Sequence, residues 1–176
     1  MIYSPEQDSY LMSEVLKKQI PSILEKDSEL RFLEIGCGSG IQLQKAKQLG
    51  IKNIFSCDVG YEAVEHCKKL GFNCIVSNLF EKIKGKYNLI IFNPPYLPEY
   101  EKEDVESKLI TTGGKKGSEI INKFLKSAKK HLTKDGRIFL LTSSLTKEIN
   151  WLNWKKKIVA KKKLFFERLV VWELTS

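Results

Sequence analysis

The sequence lacks any apolar run long enough to cross a membrane. Of its 176 residues, 42% are hydrophobic and 29% are charged, a balance that suits one globular domain with a full-sized core. A membrane-spanning helix needs roughly 20 consecutive apolar residues, and residues 1–12 show no basic segment ahead of an apolar one. We therefore expect a soluble, cytoplasmic protein without membrane contact, folded as a single domain over residues 1–176.

Paired cysteine motifs are also missing, and the chain has only two histidines. Zinc sites and disulfide frameworks need closely spaced cysteines or cysteine and histidine together. The four cysteines stand apart, as Cys37, Cys57, Cys67 and Cys74. We expect reduced, partly buried thiols and no metal site.

Arginine is scarce, although the net charge is +9. Lysine carries nearly all of the positive charge, and the run Lys155 to Lys163 holds six lysines and no acid. Such a run indicates either a solvated surface or contact with an acidic partner such as RNA. Because bidentate phosphate recognition prefers arginine, nucleic acid stays open as a partner but is not favoured.

The pattern of apolar residues alternates between strand and helix periods along the chain. This alternation predicts parallel βαβ units in three layers, with a ligand crevice at the carboxyl ends of the central strands. Pro21 predicts a kink or the start of a second short helix. Strands are predicted at 31–36, 53–58, 73–77, 87–92, 136–143, 157–163 and 167–174, and helices at 8–26, 41–49, 61–70, 117–132 and 145–154.

A glycine-rich loop, "LEIGCGSG", follows the first predicted strand and precedes a helix. Gly36, Gly38 and Gly40 permit a tight turn and close approach to a ligand. A dinucleotide fingerprint would need glycine or alanine at position 41, which is Ile41. The spacing favours a ligand with an adenosine and a short zwitterionic tail, and Glu34 can hold its ammonium group.

Two polar residues follow the next two predicted strands. Asp58 ends the second strand, where a carboxylate accepts hydrogen bonds from ribose hydroxyls. Asn78 follows the third strand and could read an adenine amino group, with Leu79 or Phe80 against the ring. Each could instead be an ordinary turn residue, but the order and spacing together favour a cofactor site.

The stretch "FNPPY" ends the fourth predicted strand in a stiff corner. Pro94 and Pro95 lack backbone N–H groups, so the strand must stop, and Asn93 is held extended by the proline after it. The corner presents a carboxamide, free carbonyls and the ring of Tyr96. These groups could fix an amide NH₂ for reaction.

The two motifs together resemble methyltransferases that use S-adenosylmethionine to modify an amide or exocyclic nitrogen. "YSPEQDSYLM", "TGGKKGSEIINKFL" and "KKKLFFERLVVWEL" further resemble the HemK-like protein-glutamine N5-methyltransferases of archaea and eukaryotes. The resemblance spans nearly the whole chain. It implies a doubly wound, seven-stranded, mostly parallel sheet of Rossmann-like type with a C-terminal antiparallel hairpin, and a helical cap over residues 1–30.

The resemblance also implies the activity. Family members of this branch methylate the glutamine in the GGQ loop of the class I translation termination factor, and S-adenosylhomocysteine is the second product. Asn93 and the Pro94 carbonyl would hold the substrate amide, with Tyr96 over its face and Pro95 keeping the corner rigid. The implied cofactor-binding residues are Tyr3, Asp8, Glu34, Gly36, Cys37, Gly38, Gly40, Asp58, Val59, Asn78, Leu79 and Asn93.

The resemblance finally implies a partner, since relatives in this branch are activated by a small zinc-binding protein. The third strand, residues 73–77, is expected at an edge of the sheet with no proline or lysine to protect it. Cys67, Leu70 and Phe72 could widen an apolar patch there. The alternative is that residues 79–86 fold back over this strand.

Some residues depart from the family pattern, and other functions stay open. Gln7 replaces a glutamate, Asn78 an aspartate, and Thr111 and Thr112 a tryptophan–alanine pair. The alternatives are an N6-adenine methyltransferase acting on DNA or RNA, which shares the corner motif, and a non-catalytic scaffold of the same fold. An NAD-dependent oxidoreductase is disfavoured by Ile41.

Overall fold

A seven-stranded sheet lies at the centre of the computed structural model, which describes residues 4–99 and 111–176. The strand order is β3-β2-β1-β4-β5-β7-β6. Strands β1 to β5 run parallel, whereas β7 pairs antiparallel with both β5 and β6, so the predicted fold class is confirmed. The strands are β1 (Arg31–Ile35), β2 (Asn53–Asp58), β3 (Asn73–Val76), β4 (Tyr87–Phe92), β5 (Leu132–Ser143), β6 (Lys155–Lys163) and β7 (Arg168–Thr175).

Helices cover the sheet on both faces and divide the core in two. The helices are α1 (Gln7–Leu24), α2 (Ile41–Gln48), α3 (Tyr61–Lys69) and α4 (Glu119–Ala128), the last followed by a 3₁₀ turn (Lys129–His131). The first three pack with Phe32 and Phe139 in one cluster, while α4 packs with Ile90 and Phe92 in the other. Within the described ranges, no helix is long and apolar enough to cross a bilayer.

Parallel register brings the ends of three strands to one edge of the sheet. Ile35 of β1 lies opposite Cys57 of β2 on one side and opposite Phe92 of β4 on the other. The residues that follow these positions therefore emerge side by side. The glycine loop, Asp58 and Asn93 consequently share the carboxyl edge, as the alternation of strands and helices predicts.

Two of the predicted element boundaries differ from the structure. Pro21 lies inside a single helix, α1, rather than at the start of a second one. Strand β5 begins at Leu132, four residues before the predicted start. These shifts leave the carboxyl ends of the strands, and so the site, where the sequence puts them.

The predicted helix at 145–154 is wrong, because this segment is irregular. Hydrogen bonds to α4 replace those of a helix: the Asn122 side chain accepts the N–H of Asn150 at 2.8 Å and donates to the Glu148 carbonyl at 3.3 Å. Glu148 and Leu152 have positive φ angles of 57° and 50°, which a right-handed helix excludes. Tertiary contacts outweigh local helix propensity here.

Candidate active site at the carboxyl edge of the sheet

The glycine loop is closed by its own hydrogen bonds. Gly36 and Cys37 donate their N–H groups to the Cys57 carbonyl at 2.8 and 3.1 Å, and Gly40 donates to the Cys37 carbonyl at 2.7 Å. Gly36, Gly38 and Gly40 have φ angles of 74°, 47° and 76°, which side chains rarely tolerate. These glycines are therefore required by the turn itself, independently of any ligand.

Asp58 ties the glycine loop to the start of α3. Its Oδ2 accepts the Gly38 N–H at 3.0 Å, and its Oδ1 accepts the Gly60 N–H at 2.8 Å. Burial raises the pKa of this carboxyl, and the two N–H groups oppose that shift. A carboxylate oxygen accepts more than one hydrogen bond, so Asp58 can hold the loop and still accept a hydroxyl.

Glu34 is the buried charge beneath the loop. It is 3% exposed, and within the described part of the chain its Oε2 has no hydrogen-bond partner. Burial, with the nearby Asp58 charge, raises its pKa well above the ordinary value. A buried carboxylate without a partner is costly, so this position favours a cationic ligand beside the loop.

The other residues predicted to bind a cofactor differ in their exposure and in their contacts. Val59 is 58% exposed beside Asp58 and is open to a flat ligand. Asn78 is exposed on the same edge, and its Nδ2 donates to Glu81 Oε1 at 2.9 Å. Leu79 is half-buried with a φ of 49°. Cys37 is buried, with its Sγ 3.3 Å from Cys74 Sγ, so its thiol turns into the core.

Asn93 and Asp8 meet although 85 residues separate them. Asn93 Nδ2 donates to Asp8 Oδ2 at 3.1 Å, and Asp8 Oδ1 accepts the Ser9 N–H at 2.6 Å. Because the NH₂ end of an amide donates and its oxygen only accepts, this contact fixes which end of the Asn93 amide faces Asp8. The opposite atom, Asn93 Oδ1, is buried and has no partner among the described residues.

Two glycines hold the proline corner against the segment that precedes α4. A Cβ at Gly113 would lie 2.6 Å from the Pro95 carbonyl oxygen, and one at Gly117 would lie 2.3 Å from that of Tyr96. Leu97 donates its N–H to the Thr111 carbonyl at 3.0 Å and accepts the Gly113 N–H at 2.9 Å. Backbone therefore packs on backbone at distances that only glycine permits, and the corner is rigid.

Tyr96 is half-buried, packs against both core clusters and lies among acidic groups. Burial, then the charges of Asp8, Glu167 and Glu6, raise the pKa of its phenol, so the ring stays neutral. Its carbonyl accepts the Thr146 hydroxyl at 3.0 Å. The sequence interpretation missed Glu167 and Thr146. For Glu167 the predicted final hairpin was a signal, because β7 pairs with β5 and brings the turn before it beside the end of β5. Thr146 lies just after β5, and no sequence signal singled it out.

The predicted site residues fall into two groups on one edge. The loop 36–40, Glu34, Asp58 and the residues after β2 and β3 are named the cofactor half, after the role predicted for them. Residues 93–96, predicted to hold the acceptor, are named the acceptor half, and Asp8, predicted to bind the cofactor, is grouped with them because it pairs with Asn93. Tyr3, also predicted to bind the cofactor, lies outside the described residues. Carboxyl groups lie in both halves, which makes the site acidic in a chain of net charge +9.

Comparison with known proteins agrees with this geometry. The family model described as the methyltransferase small domain matches residues 10–163. A protein of Methanocaldococcus jannaschii, provisionally named a protein N5-glutamine methyltransferase, is 35% identical over 190 residues, covering 98% of this chain and 92% of that protein. Methyltransferase HEMK2 of Mus musculus is 27% identical, covering 80% of this chain and 71% of that protein.

A solved structure has the same fold. One chain of the E. cuniculi Mtq2–Trm112 complex, described as responsible for methylating the termination factor eRF1, matches with a TM-score of 0.75 at 21% identity, covering 99% of this chain and 98% of that one. The family model and the archaeal relative both span most of the sequence, and they confirm the predicted family. The chain therefore belongs to the methyltransferase small-domain family, in its HemK-like protein-glutamine N5-methyltransferase branch.

Proposed function

We propose that this protein methylates the side-chain nitrogen of a glutamine in a class I translation termination factor, with S-adenosylmethionine as the methyl donor. The observation that carries the proposal is the buried, unpartnered Asn93 Oδ1, held in place by Asp8. An oxygen kept ready for an N–H donor is what recognition of an amide NH₂ needs. The names of the relatives support glutamine as that amide.

The cofactor half fits S-adenosylmethionine in charge. Glu34, unpartnered at Oε2, would hold the ammonium group of the cofactor, and Asp58 would accept the ribose hydroxyls. When bound, the cofactor supplies an electrophilic methyl group on a cationic sulfonium, which the surrounding carboxylates favour. Gly36, Gly38 and Gly40 keep side chains out of its path. Val59, Asn78 and Leu79 would border the adenine.

The acceptor half accounts for the choice of nitrogen. An amide nitrogen is a poor nucleophile because its lone pair is delocalised into the carbonyl. Asn93 Oδ1 and the Pro94 carbonyl would each accept one N–H and so hold the nitrogen facing the methyl group. Tyr96 would cover the face of the amide, and Pro95 keeps the corner from moving. Such preorganised acceptors act without reorganisation during the reaction.

The termination factor as substrate follows from the names of several relatives. The release factor glutamine methyltransferase of Aquifex aeolicus is 30% identical over 73% of this chain and 51% of that protein. The eRF1 methyltransferase catalytic subunit of Schizosaccharomyces pombe is 26% identical over 83% of this chain and 74% of that protein. We infer that the GGQ-loop glutamine is the acceptor here too. Because the acceptor is a translation factor, the proposal places the activity in the cytoplasm.

Transfer of a radiolabelled methyl group tests this function directly. The purified chain, with its partner protein where one co-purifies, is incubated with labelled S-adenosylmethionine and the termination factor. We expect label on the intact factor and none on a factor whose GGQ glutamine is replaced by alanine. Label on both the intact and the substituted factor, or on nucleic acid alone, would contradict the proposal. The Asn93→Ala chain serves as the enzyme control.

We further propose that a small activator protein binds along the free edge of β3. The complex named for the E. cuniculi relative joins Mtq2 to Trm112. In this chain β3 pairs only with β2 among the described strands, and Ile75 of β3 and Leu70 at the end of α3 are each 37% exposed. An open, partly apolar edge suits addition of a strand from a partner.

One expectation about this edge needs correction. Cys67 and Phe72 do not widen the exposed patch, because they are 0% and 9% exposed and belong to the core. Among the described residues, residues 79–86 hydrogen-bond the predicted strand at its last residue, Ser77, whose hydroxyl accepts the Lys82 N–H at 3.0 Å and donates to the Leu79 carbonyl at 3.1 Å. Phe80 and Ile83 of that segment pack into the core cluster beside α4, and no backbone hydrogen bond joins the segment to β3 among the described residues.

A proline can test this edge if it replaces a residue of β3 whose N–H does not bond β2. Ser77 donates its N–H to Asp58 of β2, so by alternation the Val76 N–H points away from β2. Val76→Pro should abolish co-purification of the activator protein, because it removes the outward donor, while Val76→Ala should retain it. If Val76→Pro still co-purifies with the activator, partner binding at this edge is wrong.

A further inference from the structure

Two phenylalanines at the turn between β6 and β7 are almost fully exposed. Phe165 is 92% exposed and Phe166 is 85% exposed, and their rings meet edge to face with centroids 4.7 Å apart. Removing such an apolar side chain from water is favourable. Two adjacent aromatic rings left in water at the end of a hairpin therefore suggest a surface that a partner covers.

The turn is held firmly, so the rings keep a defined position. Leu164 packs against the core cluster on the α1 face and donates its N–H to the Glu167 carbonyl at 2.8 Å. Glu167 accepts a hydrogen bond from the Ser143 hydroxyl at the end of β5. Arg168 donates its N–H to the Ser144 hydroxyl at 2.9 Å. The turn is thus tied to the carboxyl edge that carries the site.

This position is beside the acceptor half and away from the cofactor half. The charge of Glu167 contributes to the raised pKa of the Tyr96 phenol, and the Tyr96 carbonyl accepts the hydroxyl of Thr146, just after β5. Leu145, next to Thr146, is 39% exposed. In the strand order, β5 and β7 lie on the opposite side of β4 from the glycine loop. An acceptor reaching Asn93 from this side passes the two rings.

The charges around the rings are positive. Lys161, Lys163 and Arg168 are exposed next to the turn, and Glu167, the one acid from 161 to 168, is engaged with Ser143. An apolar tip with a cationic border fits an apolar surface bordered by carboxylates. The positive charge around the two rings distinguishes the turn from the acidic site beside it.

We propose that Phe165 and Phe166 form the docking site for the methyl-acceptor protein, inserting into an apolar surface of that protein next to its reactive glutamine. The inference rests on the proposed function and names how that same site recognises a whole protein rather than a glutamine alone. The two rings contribute to binding of the acceptor and leave the chemistry at Asn93 untouched.

Steady-state kinetics with two acceptors test the docking site. The double variant Phe165→Ala/Phe166→Ala is compared with the unmodified chain on the intact termination factor and on a short peptide carrying its GGQ segment. We expect KM for the intact factor to rise about tenfold or more, as for loss of an interface anchor. The kcat value, the rate on the peptide and the affinity for S-adenosylhomocysteine should stay unchanged.

A matched control and a rescue separate docking from folding. Leu152→Ala removes an exposed apolar side chain, 51% exposed, from the loop before β6 at the opposite end of the sheet, and should leave every value unchanged. Phe165→Leu/Phe166→Leu should recover part of the affinity. An unchanged KM for the intact factor in the double alanine variant, or an equal loss on the peptide, would overturn the docking site.

Photocrosslinking from position 165 then identifies what covers the turn. A photoreactive phenylalanine analogue at this position should crosslink to the termination factor, and excess unlabelled factor should compete. Crosslinks only to a second copy of this chain or only to RNA would refute the inference. If the unmodified chain methylates no termination factor at all, the proposed function fails first, and the docking site fails with it.

Discussion

The two halves of the carboxyl edge are built in different ways. In the cofactor half, the main chain closes on itself through Gly36, Gly38 and Gly40, and Asp58 holds the loop with one carboxylate oxygen and the start of α3 with the other. In the acceptor half, one side chain, Asn93, is positioned by another, Asp8, and keeps an oxygen unused. The shape of the cofactor half is thus fixed by the main chain, whereas the acceptor half depends on the orientation of one side-chain amide, that of Asn93. Substitutions should therefore separate binding of the cofactor from methyl transfer.

The largest effect is expected from Asn93→Ala. Loss of an oriented acceptor that acts in the reacting complex should reduce kcat by about 10²-fold or more. Binding of S-adenosylhomocysteine, measured by calorimetry, should change little, because the loop and Asp58 are intact. Asn153→Ala, in the loop before β6, is the control. Turnover near that of the unmodified chain would remove Asn93 from the acceptor half.

An intermediate effect is expected from Asp58→Ala, and it should fall on binding. Hydrogen bonds to a charged group contribute about 1.5–3 kcal/mol, so affinity for the cofactor should fall by roughly 10- to 150-fold. Turnover at saturating cofactor should be reduced much less than by Asn93→Ala. Exposed Asp135→Ala provides the control. Equal affinities in a titration of the two proteins would place Asp58 outside the cofactor half.

The smallest effect is expected from Glu34→Gln, and it should be a gain in stability. Asp58 and Cys74 face this buried carboxyl, and its pKa is raised mainly by burial. A raised pKa means that its stabilising contribution is complete below the ordinary carboxyl pKa and is lost as the pH rises through the raised value. Without cofactor at pH 7, Glu34→Gln should raise Tm by about 2–4 °C for each kcal/mol recovered.

The pH profile checks the sign of this effect. The gain in Tm should shrink as the pH falls toward the ordinary pKa of a glutamate, where both side chains are neutral. Affinity for S-adenosylhomocysteine should fall in the same variant, since the ammonium group would lose its counter-charge. A lower Tm for Glu34→Gln throughout the range would contradict an unpaired buried charge at this position.

Local chemistry made much of the site predictable. Glycines spaced as Gly36, Gly38 and Gly40 after an apolar strand demand a tight turn, and Pro94 and Pro95 demand that a strand end. Parallel strands then bring both motifs to one edge. The prediction of a helix at 145–154 was wrong because contacts distant in sequence decide this segment. The Asn122 side chain of α4 hydrogen-bonds two of its backbone groups, and the spacing of apolar residues does not indicate such contacts.

The sequence by itself determined the order of the strands and of the helices α1 to α4, because the apolar residues repeat at strand or helix period. It also determined the two loop motifs, because glycine and proline restrict the backbone wherever they occur. Only the tertiary structure decided that Asp8 orients Asn93, that Gly113 and Gly117 lie against the proline corner, and that Phe165 and Phe166 are exposed at a turn tied to the end of β5. These contacts join residues far apart in the chain, and such distances close only when hydrophobic burial folds the sheet and its two helical layers together.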